Sequence, residues 1–174
     1  MESQILQKIL DKASNVEIIR AYGNLTIQQV LDGAFPSLAR LKIEKGIEMT
    51  EKALAVLLAD ASKAFDNQFK VDVALELAAE ITSTVGHLSL EDCFIALREL
   101  KQKDKIYKLT PNNVLVHFKD YSERRIKAAL DRSYNNHLAN KENPVYDKDR
   151  TVKTVNKAFE KFRLQYEVNQ RKKG

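Results

Sequence analysis

The sequence predicts an all-α fold, a compact bundle of about seven or eight helices. Three observations predict it. Only five glycines and three prolines occur in 174 residues, so tight turns are few. Strong helix formers, Ala, Leu, Lys and Glu, are abundant. Apolar residues recur at three- and four-residue spacing, and no stretch alternates as a half-buried strand would.

Ile5, Leu6, Ile9 and Leu10 predict a short amphipathic helix over residues 3–13. VEIIRAY follows and ends at Gly23, a residue suited to the position just past a helix. Thr26 with Gln29 three residues on is a capping box, opening a helix that stops at Gly33. Phe35-Pro36-Ser37 then starts SLARLKIEK, closed by Gly46. MTEKALAVLLADASKAF sets Leu54, Leu57, Leu58, Ala61 and Phe65 on one face, and its middle is apolar nearly all round, as in a core helix.

VDVALELAAEITSTV is the next helix, with Val71, Leu75, Ala78 and Ile81 inward. Ser89 caps LEDCFIALRELKQ, with Asp92 as its partner three residues on. The acids of that first turn suit the positive end of the helix dipole. Thr110 caps a helix over 109–132, with Pro111 where a missing N–H costs nothing. Its apolar stripe is Val114, Leu115, Phe118, Tyr121, Ser122, Ile126 and Ala129. NNHLANKENPVYDKD reads as a linker, and TVKTVNKAFEKFRLQYEV as a last helix. The expected layout is a helical core over 1–137, a linker over 138–150 and a basic amphipathic helix with its tail over 151–174.

No run of about 18 apolar residues is present, so no membrane span is expected. MESQILQKILDKAS lacks the apolar region of a signal peptide. A single cysteine, Cys93, excludes an internal disulfide framework, and the cytoplasm is the expected compartment. The three histidines, His87, His117 and His137, are scattered, and no HExxH, cysteine-pair or glycine-rich phosphate motif occurs. No metal, cofactor or catalytic residue is therefore expected, and Cys93 reads as a buried, inert thiol.

Charge is the more informative property. The net charge of +5 hides a split: residues 1–100 hold 10 Lys/Arg and 15 Asp/Glu, and residues 101–174 hold 19 and 9. Such asymmetry suits an acidic partner such as nucleic acid, and equally a solvated lysine-rich surface. The helix over 109–132 is a poor reader of bases. Its outward charges form opposite-sign neighbours at i,i+4, namely Asp120–Arg124, Glu123–Lys127 and Lys127–Asp131. A recognition helix offers uncompensated Arg, Asn or Gln instead, after a turn of three or four residues. Arg125 is the exception on this helix. It falls in the apolar stripe one turn after Tyr121, and the two mark an anion or partner contact or a structural pairing of Arg125 with a carboxylate or helix-end carbonyls.

Excess positive charge flanks that helix. KQKDKIYK supplies Lys101, Lys103, Lys105 and Lys108 around Tyr107, which suits phosphate contact with base stacking and equally a helix C-terminus. In the last segment Val152, Val155, Phe159, Phe162 and Tyr166 form a seam for the core, a second copy or a partner. Lys153, Lys157 and Lys161 form a ladder beside it, extended by Arg171 and Lys172, and suited to tracking phosphates.

Residues 25–125 resemble an uncharacterised group of small helical proteins carried by phages and mobile elements of gut bacteria. The resemblance rests on Leu88-Ser89-Leu90-Glu91-Asp92, Lys105-Ile106-Tyr107, Tyr121 and Arg125, with LTIQQVLDG upstream. The group's glycines are absent from the loop, where KQKDKIYK stands. The layout is also loosely similar to that of phage helicase loaders. The resemblance implies a mobile-element setting and supplies no reaction. The expected function is a non-enzymatic accessory protein of nucleic-acid metabolism, binding a protein partner and phosphates. The alternative is a structural or virion-associated protein assembling through its last helix.

Overall fold

The computed structural model describes residues 3–103 and 108–142. Among these the fold is all-helical: α1 (Gln4–Leu10), α2 (Asn15–Tyr22), α3 (Ile27–Gly33), α4 (Leu38–Lys45), α5 (Ile47–Ser62), α6 (Val71–Thr84), α7 (Leu90–Lys101) and α8 (Pro111–Glu142). The chain divides into two compact units, Met1–Ala129 and Leu130–Gly174. No described helix is long and apolar enough to cross a membrane.

The local signals fix the helix starts. Thr26 and Ser89 each make a complete capping box, and so does Ser14 ahead of α2. Ser37 accepts from Arg40 N, and Thr110 from Asn113 N. The first free N–H groups of α4 are also used. Leu38 N donates to Leu88 O at 2.7 Å and Ala39 N to Gly86 O at 2.9 Å. The loop before α7 thus completes the start of α4 and is held by it.

Within the first unit α5 is the central helix. It packs on α4, α6 and α7, burying Leu54, Leu57, Leu58 and Ala61. Its apolar middle does not vanish from the surface, since Val56 stays exposed. Gly46 joins α4 to α5 alone, at φ 93° and ψ 153°, a backbone region open essentially to glycine. Asn67, after α5, binds Leu109 twice: its Nδ2 donates to Leu109 O at 2.6 Å and its Oδ1 accepts from Leu109 N at 2.8 Å. That side chain fixes the buried Leu109 one residue before the cap of α8.

Three inward assignments change. Val71 is 71% exposed, and α6 turns Ala74 and Leu77 inward beside the expected Ala78 and Ile81. Val71 lies in the first turn, short of the packed face. Leu10 and Ile126 are exposed as well, while Val114, Phe118, Tyr121 and Ser122 are buried. Residues 138–142, read as the start of a linker, are helical, because α8 runs through Glu142. No Gly or Pro interrupts it before Pro144. Residues 143–150 and the last helix and tail over 151–174 lie outside the described residues.

Candidate functional site

The N-terminus of α7 carries a buried polar cluster. Ser89 caps the helix, and Asp92 closes the box from below with Oδ2, which accepts from Ser89 N and Ser89 Oγ, each at 2.9 Å. The same Oδ2 accepts from Arg125 Nε at 2.8 Å, and Oδ1 accepts from the Tyr121 hydroxyl at 3.0 Å. Asp92 is 0% exposed and the Arg125 side chain 18%. One carboxylate therefore serves a helix cap, a buried phenol and a guanidinium 33 residues away. It ties the start of α7 to the middle of α8.

Neighbouring groups extend the cluster. Burial, and then the charge of Asp92, push the Tyr121 phenol far above its ordinary range, so it remains a donor. The guanidinium of Arg124 lies 5.4 Å from the Tyr121 ring centroid and pairs with Glu99 of α7. This cross-helix pair replaces the Asp120–Arg124 pair expected along α8. Ser122 Oγ meets His87 Nε2 at 2.8 Å. Burial and the nearby Arg125 charge lower the His87 pKa. Among the described residues no ion pair joins Glu123, Lys127 and Asp131.

Two buried groups were not foreseen. His117 sits in the core and hydrogen-bonds Ala96 O at 2.8 Å through Nε2. A carbonyl accepts only, so Nε2 carries the proton, and burial holds the ring below its ordinary pKa. Glu91 is fully buried. Its Oε1 accepts from Ser3 Oγ at 2.8 Å and Ile5 N at 3.3 Å, holding the start of α1, while Oε2 has no partner. Burial raises its pKa. The Ser-Leu-Glu-Asp stretch signalled a first turn; nothing local signalled that α1 folds over it.

The cluster's hydrogen bonds join the start of α7 to α8. The carboxylate oxygens of Asp92 are taken up by protein donors, and the Tyr121 phenol keeps its proton. Cys93 is buried, and burial pushes its thiol well up. No three His, Cys, Asp or Glu among the described residues gather into a metal set.

No family model, curated protein or solved structure matches this chain. Of the residues that carried the sequence resemblance, Lys105, Ile106 and Tyr107 lie outside the described residues. Ser89, Asp92, Tyr121 and Arg125 form one hydrogen-bonded group, and Glu91 lies beside it on α7.

The basic residues are placed in part. The Lys101 ammonium lies 3.7 Å from Asp60, with its side chain 29% exposed. Lys103 and Lys108 are exposed and pair with no described residue. Lys105 and Tyr107 lie outside the described residues, as do Lys153, Lys157, Lys161, Arg171 and Lys172 and the seam of Val152, Val155, Phe159, Phe162 and Tyr166.

Among the described residues of the first unit, two grooves stand out. One, of ≈ 320 Å³, runs between α1 and α5 past Leu10, Met49 and Val56. The other, of ≈ 340 Å³, lies among α2, α5 and α7.

Proposed function

We propose that this is a non-enzymatic accessory protein of phage or mobile-element nucleic-acid metabolism, acting in the host cytoplasm. Its helical body binds a protein partner, and its basic elements lie on phosphates without reading sequence. The observation that carries this reading is the charge split. Residues 1–100 hold an acidic excess, and Asp72, Glu76 and Glu80 line the outside of α6 one turn apart. Past residue 100 the balance reverses, beginning with the exposed Lys103 and Lys108. Lysines that meet a phosphate backbone release counterions from it, and that release drives binding at low salt.

The non-enzymatic part rests on the closed cluster at α7, where every strong acceptor of Asp92 is used internally. Fluorescence anisotropy of labelled single- and double-stranded DNA over a salt series tests the nucleic-acid part. Salt-sensitive binding of several unrelated sequences is expected; no binding at low ionic strength removes the reading.

One observation favours a structural or virion-associated role instead. Leu130, Tyr134 and Leu138 are exposed one turn apart on α8. Such a row suits self-association, together with the Val152–Tyr166 seam. Light scattering of the full chain and of a chain truncated after Glu142 tests assembly through the last segment. Equal numbers of copies per particle rule out assembly through the last segment.

A further inference from the structure

The groove among α2, α5 and α7 has a floor of Leu57, Ala61, Phe94 and Leu97, with Lys101 at its edge. Three of the floor residues are buried and Phe94 is half-buried, so the floor is preformed. A volume of ≈ 340 Å³ lies at the small end of ligand pockets, which run from about 300 to 1,000 Å³.

Charge at the mouth has one sign in excess. Asp60 is shared by two lysines: Lys63 Nζ lies 3.5 Å from Oδ1 and Lys101 Nζ 3.7 Å from Oδ2. Lys101 can therefore turn to a ligand while Lys63 keeps Asp60 paired. Arg98 is committed elsewhere: its Nη1 donates to Gly23 O, and its Nη2 to Leu25 O at 2.9 Å. It shapes the wall and adds positive charge without needing to move. The side chain of Gln102 is exposed at the same edge and adds an amide donor.

We propose that this groove binds a small apolar carboxylate, its hydrocarbon on the Leu57–Ala61–Leu97 floor and its carboxylate on Lys101. The inference stands apart from the nucleic-acid reading and assigns Lys101 to this pocket instead of to phosphates. Burying the hydrocarbon supplies affinity, and the ammonium sets the sign of charge accepted.

Amide NMR of the full chain, titrated with sodium octanoate, tests it. Octyltrimethylammonium serves as the opposite-charge control with the same chain. Saturable shifts at Gly23, Ala61 and Gln102 are expected with octanoate, and weaker binding with the ammonium. Lys101→Met should fold as the parent does, by its melting curve, and lose about tenfold in octanoate affinity. Equal binding of both head groups overturns the proposal. So do shifts centred on Leu10, Met49 and Val56, the absence of saturable shifts, or unchanged affinity in Lys101→Met.

Discussion

Asp92→Asn separates charge from shape in the cluster at α7. The amide keeps one oxygen, which accepts either the single bond from Tyr121 or the three from Ser89 and Arg125, and places an NH2 against the remaining donors. Those are the backbone N–H and hydroxyl of Ser89 and the guanidinium of Arg125 if the oxygen stays with Tyr121. Removing one partner of a buried ion pair costs roughly 3–5 kcal/mol. Arg125 is 18% exposed and recovers part of that by turning to water. The cap is weakened too, which adds on the order of 1 kcal/mol. The expected loss is about 2–4 kcal/mol, or roughly 10 °C in melting temperature for a body of this size. Urea denaturation followed by circular dichroism measures it. Arg125→Met, alone and with Asp92→Asn, completes a double-mutant cycle, and the pair should couple by at least about 1 kcal/mol. A loss under about 0.5 kcal/mol in Asp92→Asn, or additive single effects, refutes the clamp.

Three further outcomes follow from single residues. Gly46→Ala forces a side chain into a φ of 93° and should destabilise by about 1–3 kcal/mol, read from the same urea curves. Asn67→Ala removes both bonds to Leu109 and should cost about 1–3 kcal/mol, with faster amide exchange at Leu109. Glu91 has a folded pKa raised by burial, so its contribution is full below the ordinary carboxylate range and is lost as pH rises through the raised value. Glu91→Gln lacks that titration. Measured by urea unfolding, its stability relative to the parent should improve as pH rises from about 4 to 7; a constant difference or the opposite trend contradicts the assignment.

Sequence reading succeeded where the physics is local. The boxes at Thr26 and Ser89 need only residues three apart, and both form. The apolar face of α5 is set by its own periodicity. The end of α8 was misplaced because the polar run after Arg132 resembles a linker in composition, though it holds no residue that breaks a helix before Pro144. The site itself was half legible. Arg125 stood out as a charge on an apolar face needing a partner, but no spacing rule connects α8 to the start of α7. His117 and Glu91 left no local mark, because their burial comes from helices distant in sequence: α7 for the one and α1 for the other.

The nucleic-acid reading is tested most directly by anisotropy of the full chain with single- and double-stranded DNA between about 50 and 200 mM salt, the range over which phosphate contacts weaken steeply. The prediction is a linear fall of log affinity with log salt, with a slope of about −2 or steeper, similar for unrelated sequences. The variant carrying Lys103→Glu and Lys108→Glu should bind more weakly with a shallower slope. Absence of binding at the lowest salt, or affinity indifferent to salt, would contradict it.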